Sequence, residues 1–238
     1  MSLKEKAIIA LDFENGLDTK KFLKQMDGEL SWIKIGLELF ISEGPNLVID
    51  LAKDGYQIFL DLKLHDISKT VEKSLLNIAK LPVKMTTLHY SCGPKFFKSI
   101  EHLALPFHVL GVTALTSLDE EDIAFIYGKE KTAKNLVKSF INETINLSHP
   151  SGCVCSGNEA KIVRELLTLV SRKYSFCIVC PGVRFDAINN HDQARVTHPF
   201  DALKNGADHV VVGRELTLAA NPKLTWQNWK ELYEKTFN

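Results

Sequence analysis

Eight short apolar runs, each followed by a helical pattern, constrain this chain more than any other feature. They lie at 7–12, 31–36, 57–63, 83–89, 107–113, 152–155, 176–179 and 209–212. Most are continuously hydrophobic, as expected of strands buried on both faces of a parallel sheet under helices. Eight strand-helix pairs in 238 residues predict an α/β chain closed as a (β/α)8 TIM barrel. An open doubly wound sheet is the competitor, but it wants a glycine-rich turn after the first strand, where this chain has Asp12-Phe-Glu-Asn-Gly. There is no solenoid repeat, low-complexity tract or Gly/Ser linker, so 1–238 reads as one domain, a length single barrels reach.

Local signals place the helices. Asp18 is expected to cap a helix through Met26 that closes at Gly28. Pro45 at a first helical position predicts a helix to Asp54, stopped by Gly55. Further helices are expected at 68–80, 94–103 and 159–171, and one long helical region from Ser117 or Asp119 to about 147.

Charge and cysteine content narrow the function. Twenty-nine basic residues balance twenty-nine acidic ones, which leaves no general field for nucleic acid or an anionic membrane. The N-terminus lacks a signal-peptide core, and no apolar run reaches the roughly 20 residues that cross a bilayer. A cytoplasmic protein is expected. Five cysteines argue against a secreted disulfide framework. Cys177 and Cys180 spell C-x-x-C, but in Phe-Cys-Ile-Val-Cys they sit on a strand that sends them to opposite faces, so they read as small buried hydrophobes.

The third run carries the chemistry. Phe59, Asp61 and Lys63 alternate with Ile58, Leu60 and Leu62, which aims the carboxylate and the ammonium at one side of a sheet. Desolvating either costs several kcal/mol unless it is paired. Asp66 follows where the strand gives way to a loop, so two carboxylates and a lysine are crowded together. In a barrel, catalytic groups belong at the C-terminal strand ends. Those ends read Asp12, Lys34, Asp61 with Lys63, His89, Thr116, Ser156, Arg184 and Arg214. The arginines follow strands seven and eight, where barrels commonly bind phosphate. Gly213 before Arg214 allows close backbone approach to an anion, and Arg214 offers a bidentate fork. A polar loop near 181–199, holding Arg184, Gln193 and Arg195, reads as a phosphate-binding lid.

These landmarks together resemble the orotidine 5'-phosphate decarboxylase family. Asp61-Leu-Lys63-Leu-His-Asp66-Ile67 matches its D-x-K-x-x-D-I signature. Leu115-Thr116-Ser117, Val154-Cys155-Ser156, Pro181-Gly182-Val-Arg184, Asp192-Gln193-Ala-Arg195 and the stretch from Gly206 to Arg214 follow in the family's order, from about residue 7 to 218.

The resemblance implies a lyase that decarboxylates orotidine 5'-monophosphate to uridine 5'-monophosphate in pyrimidine biosynthesis, with no cofactor and no metal. It implies that Lys63 is the proton donor, that Asp61 sits beside the departing carboxylate, and that Asp12 and Lys34 hold a ribose hydroxyl and complete the charged array. Asp66, Ile67 and Thr70 would reach the neighbouring site of a homodimer with shared active sites. Thr116 would line the nucleotide pocket, Ser156 would read the pyrimidine edge, and Gln193 would bridge base and phosphate. Arg184, Arg214 and Gly213 would hold the phosphate.

Some positions depart from the family pattern: Ser68-Lys69 after the signature, Glu215 after Gly-Arg, and His149-Pro150 before strand six. Glu215 adds negative charge at the phosphate end, although a carboxylate at a helix start favours the dipole. His65 and His89 are expected to support the site through hydrogen bonds rather than act on substrate. Two other readings are a metal-assisted sugar-phosphate decarboxylase or aldolase of the same superfamily, which would not need Ser156 or Gln193, and a non-catalytic phosphate-binding barrel.

Overall fold

Every one of the eight apolar runs becomes a parallel strand, and the last hydrogen-bonds to the first. The computed structural model describes residues 2–170, 176–185 and 196–237. The strands are β1 (Ala7–Ala10), β2 (Trp32–Gly36), β3 (Gln57–Leu64), β4 (Met85–His89), β5 (His108–Val112), β6 (Gly152–Val154), β7 (Cys177–Cys180) and β8 (His209–Val212), closed in that order as a barrel. Closure pairs Ile9 with Val212 and leaves no free sheet edge. None of the helices among the described residues is long and apolar enough to cross a membrane.

The barrel explains why the strands are apolar on both faces. Ile8, Ala10, Phe59, Met85, Leu110, Val112, Val154, Val179 and Val211 pack inside it. Their neighbours Ile9, Ile33, Ile58, Leu60, Val109, Cys153, Ile178 and Val210 point outward into the larger core under the helices. Each fully buried aliphatic chain contributes about 1.5–3 kcal/mol relative to exposure. The same alternation sends Cys177 against the inner cluster and Cys180 into the outer one. Burial pushes the Cys177 thiol up to about 12. Both cysteines are free thiols. At Gly152 a Cβ would lie 2.4 Å from both the Cys177 carbonyl oxygen and a Leu110 methyl, so the short β6 admits only glycine at the closest strand approach.

Three helix expectations need correction. Asn15, not Asp18, caps the helix Gly16–Met26, accepting from the Asp18 N–H at 2.9 Å. Asp18 sits inside the first turn, where its carboxylate accepts from Asn15 Nδ2. The helix expected to open at Pro45 starts at Leu37 and runs to Lys53. Its two limbs meet at Gly44, whose φ of 65° makes the break that lets Pro45 begin the second limb. The long region after β5 is two helices, Glu120–Tyr127 and Ala133–Thr144. Gly128 at φ 107° ends the first, and Thr132 caps the second. Asp119 caps the first, as one of the two readings had it.

The N-terminal mouth of the barrel is occupied by Trp32 and His209, whose rings lie 5.1 Å apart. Burial, reinforced by the nearby Lys6 charge, lowers the His209 pKa to about 4. The unfolded chain therefore takes up a proton near pH 6.5 that the native protein refuses until about pH 4. The stability due to the neutral ring is complete above pH 6.5 and is lost as the pH falls through this window. Urea denaturation should show a loss of about 3 kcal/mol between these limits from this residue. His209→Gln should flatten that part of the profile; an unchanged pH slope in the variant would contradict the assignment.

Candidate active site

The C-terminal mouth gathers the polar strand ends around a cavity of about 220 Å³. Asp12, Lys34, Asp61, Lys63, Thr116, Arg184, Gly213 and Arg214 line it, over an apolar floor that includes Phe59 and Val112. The charges form one chain of contacts. Lys63 Nζ donates to Asp61 Oδ2 at 2.7 Å; Lys34 Nζ lies 3.8 Å from the same oxygen and donates to Asp12 Oδ1 at 3.0 Å. Asp61 is buried, whereas the Asp12 side chain is half exposed. Burial pushes the Asp61 carboxyl up, but the Lys63 and Lys34 charges, with hydrogen bonds from Lys63 and Thr87, outweigh it and hold the group below the usual carboxylate range.

The placement of Lys63 differs from what plain alternation implies. β3 and β4 pair regularly through Leu60 and Thr86, then slip before Leu64 meets Leu88. Within that irregularity Lys63 has φ 49°, a left-handed backbone that L-residues avoid at a cost of roughly 1–2 kcal/mol. The turn brings the ammonium back onto Asp61. Thr86 and Thr87 satisfy the groups freed by the slip: Thr86 Oγ1 donates to the Leu60 carbonyl at 2.9 Å, and Thr87 Oγ1 accepts from the Lys63 N–H at 2.8 Å. Neither threonine stands out in the sequence, where both read as ordinary β-branched strand residues.

Asp66, Ile67 and Thr70 lie outside this cavity. All three are exposed, Ile67 by 73%, and Asp66 and Thr70 line a separate hollow beside Ser74. Asp66 Oδ1 accepts from the Ile67 N–H at 2.6 Å. The His65 and His89 rings lie 5.3 Å apart, tilted by 36°, and His65 Nε2 lies 3.3 Å from Ser91 Oγ. Burial, then the His65 and Lys63 charges, lowers the His89 pKa.

Ser156, just past β6, has its N–H bound to Glu159 Oε2 at 2.8 Å. Its hydroxyl is buried without a hydrogen-bond partner among the described residues, one residue from the cavity wall at Cys155. Gln193 and Arg195 lie outside the described residues. The Arg184 N–H donates to the Thr197 carbonyl at 3.1 Å. Gly213 precedes a single helical turn, Arg214–Thr217, and a Cβ there would meet nothing closer than 3.6 Å. Packing alone therefore does not demand glycine at 213. Glu215, an unexpected charge at this end, accepts from the Phe185 N–H at 3.0 Å and so ties the turn after β8 to the loop after β7.

Residues 5–228 match the model of the orotidine 5'-phosphate decarboxylase / HUMPS family. The orotidine 5'-phosphate decarboxylase of Wigglesworthia glossinidia brevipalpis is 37% identical, over 91% of this chain and 92% of that protein. That of Staphylococcus haemolyticus is 36% identical, over 96% of this chain and 98% of that protein. The crystal structure of orotidine 5'-phosphate decarboxylase from Lactobacillus acidophilus superposes with a TM-score of 0.77 at 30% identity, covering 95% of this chain and 98% of that one.

The left-handed lysine yields a stability test that needs no substrate. In an ordinary strand glycine is less stable than alanine; at φ 49° the order reverses, because only alanine carries the clashing Cβ. Lys63→Gly should unfold at higher urea than Lys63→Ala, by about 1 kcal/mol. Equal midpoints, or alanine ahead, would show that position 63 is unstrained.

Proposed function

Because this chain belongs to the orotidine 5'-phosphate decarboxylase / HUMPS family, we propose that it converts orotidine 5'-monophosphate to uridine 5'-monophosphate and carbon dioxide, a step of pyrimidine biosynthesis. One observation carries the reading at the level of chemistry: an ammonium, Lys63, is held 2.7 Å from a buried carboxylate at a cavity whose rim carries Arg184 and Arg214. Loss of the substrate carboxylate leaves an electron pair in the plane of the pyrimidine ring, where it cannot spread into the ring carbonyls. The positive charge must therefore be in place before the bond breaks. Lys63 stabilises the developing carbanion and then delivers a proton to it. Asp61 lies beside the departing carboxylate, and Lys34 keeps both acidic neighbours, Asp61 and Asp12, compensated.

Enzymes lower barriers by roughly 8–23 kcal/mol, whereas a positioned proton donor contributes about 10²–10⁴-fold in rate. The remainder is assigned to electrostatic preorganisation and to phosphate binding energy drawn from Arg184 and Arg214. Gln193 belongs to the same grip. Ser156, with its buried hydroxyl lacking a protein partner, is assigned to the pyrimidine edge, Thr116 to the pocket wall and Asp12 to a ribose hydroxyl. We assign the active unit to a homodimer in which Asp66, Ile67 and Thr70 serve the neighbouring site; their exposure, unusual for an isoleucine, supports this. A cytoplasmic location fits five cysteines that are not joined in disulfides. The metal-assisted sugar-phosphate reading is disfavoured, since the named relatives are orotidine 5'-phosphate decarboxylases.

The direct experiment is the fall in orotidine 5'-monophosphate absorbance on adding purified protein in EDTA. Turnover should persist with the chelator and vanish in Lys63→Ala while the fold survives. Activity in Lys63→Ala would remove the lysine from the mechanism, and activity abolished by EDTA would favour a metal-assisted site.

Sharing of sites makes a second prediction. Inactive Lys63→Ala chains mixed with inactive Asp66→Asn chains should regain roughly a quarter of wild-type activity, because each heterodimer of a two-fold pair rebuilds one complete site. No recovery after verified exchange would place Asp66 in the site of its own chain.

A further inference from the structure

We propose that Thr87 is a positioning residue for this reaction: its one hydroxyl joins the backbone of Lys63 to the carboxylate of Asp61 and so fixes the lysine at both ends. The inference rests on the decarboxylase reading above and assigns a role to a β4 residue outside the family signature.

The geometry is a closed loop of bonds. The Lys63 N–H donates to Thr87 Oγ1 at 2.8 Å, Thr87 Oγ1 donates to Asp61 Oδ1 at 2.9 Å, and Asp61 Oδ2 accepts from Lys63 Nζ at 2.7 Å. A threonine hydroxyl has a single proton. Since its oxygen accepts from an N–H, that proton is committed to Asp61, and the donor and acceptor directions are both settled. Water does not replace this hydroxyl, because Thr87 is fully buried. A β-branched side chain is stiff about χ1, which keeps the oxygen at the meeting point.

The loop also accounts for the strained backbone. Lys63 holds φ 49° within the slip between β3 and β4, and there its N–H takes the Thr87 hydroxyl as its partner. Thr86 supplies a contrast. It makes a bond of the same kind across the same slip, from Oγ1 to the Leu60 carbonyl, but has no link to Asp61. Thr86 staples the strands; Thr87 staples them and aims the acid-base pair.

Thr87→Val keeps shape and burial and deletes both bonds. We expect kcat to fall roughly 30- to 100-fold, the scale set by a misplaced reacting group, with KM changed less than about threefold. Thr87→Ser, which keeps the hydroxyl, should stay within about threefold of wild type. Thr86→Val should lose stability and leave kcat unchanged. If Thr87→Val does not fold, Thr87→Ala reads the same loss. A second readout needs no turnover: carbon-13 titration of the Asp61 carboxyl. Asp61 is faced by Lys63 on its own strand, by Lys34 on β2 with Asp12 beyond it, and by His89 on β4. Removing the Thr87 donor should move its titration to higher pH. Wild-type kcat in Thr87→Val, an equal kcat loss in Thr86→Val, or an unmoved Asp61 titration would overturn the proposal. A wild type that leaves orotidine 5'-monophosphate unchanged would instead overturn the reaction assigned to the site, and the Asp61 titration would still decide the positioning.

Discussion

The structure depends on keeping the largely buried Asp61 ionised. Desolvation pushes its carboxyl toward the neutral form, which would hold the Lys63 ammonium less tightly. Two lysines reach it from different strands, and the barrel is what brings those strands to adjacent positions, with Gly36 of β2 registered against Asp61 itself. A side chain at 36 would press on Lys34 Nζ from 3.0 Å, so the bare backbone there gives the second lysine room. The β3 irregularity, the two threonines and the left-handed lysine are all local adjustments around this carboxylate. Natural sites commonly hold such strain because the surrounding fold over-determines it.

Much of this was legible in the residues alone. Eight apolar runs with helices between them leave few topologies other than a closed barrel, and of the residues the strand-end rule picks out, Asp12, Lys34, Asp61, Lys63, Thr116, Arg184 and Arg214 meet at one cavity, whereas His89 and Ser156 do not line it. What stayed hidden depended on geometry that has no residue signature. Period two predicts that Asp61 and Lys63 share a face, but not that the lysine gets there through a reversed φ. Nothing in Met-Thr-Thr-Leu-His marks Thr87 as different from Thr86; the distinction exists only once the strand register is known. The helix opening at Leu37 was missed because Pro45 is a strong start signal, and Gly44 makes that signal true for the second limb only.

The end of the barrel that carries Arg184 and Arg214 shows how a departure from family pattern is absorbed. Glu215 stands beside Arg214, where a free carboxylate would oppose an anion. Its oxygen is instead engaged by the Phe185 N–H, immediately after Arg184, so the charge serves as a brace between the two arginine-bearing loops. Phe185 is itself stacked on Trp229 at 4.0 Å, which anchors the root of the loop to the C-terminal helix Pro222–Phe237.

Closure of the ladder between β1 and β8 has a consequence in the order of synthesis. Asp12 follows the first strand and Arg214 the last, yet Asp12 Oδ2 comes within 3.6 Å of where a side chain on Gly213 would begin. On the ribosome Asp12, Lys34, Asp61 and Lys63 emerge early and wait for Arg214 until almost all of the chain has been made. Until then β1 presents an open edge able to pair with the wrong strand. The emerging chain is therefore most exposed to misassembly while it is still inactive, and one event, the docking of β8, ends both conditions together.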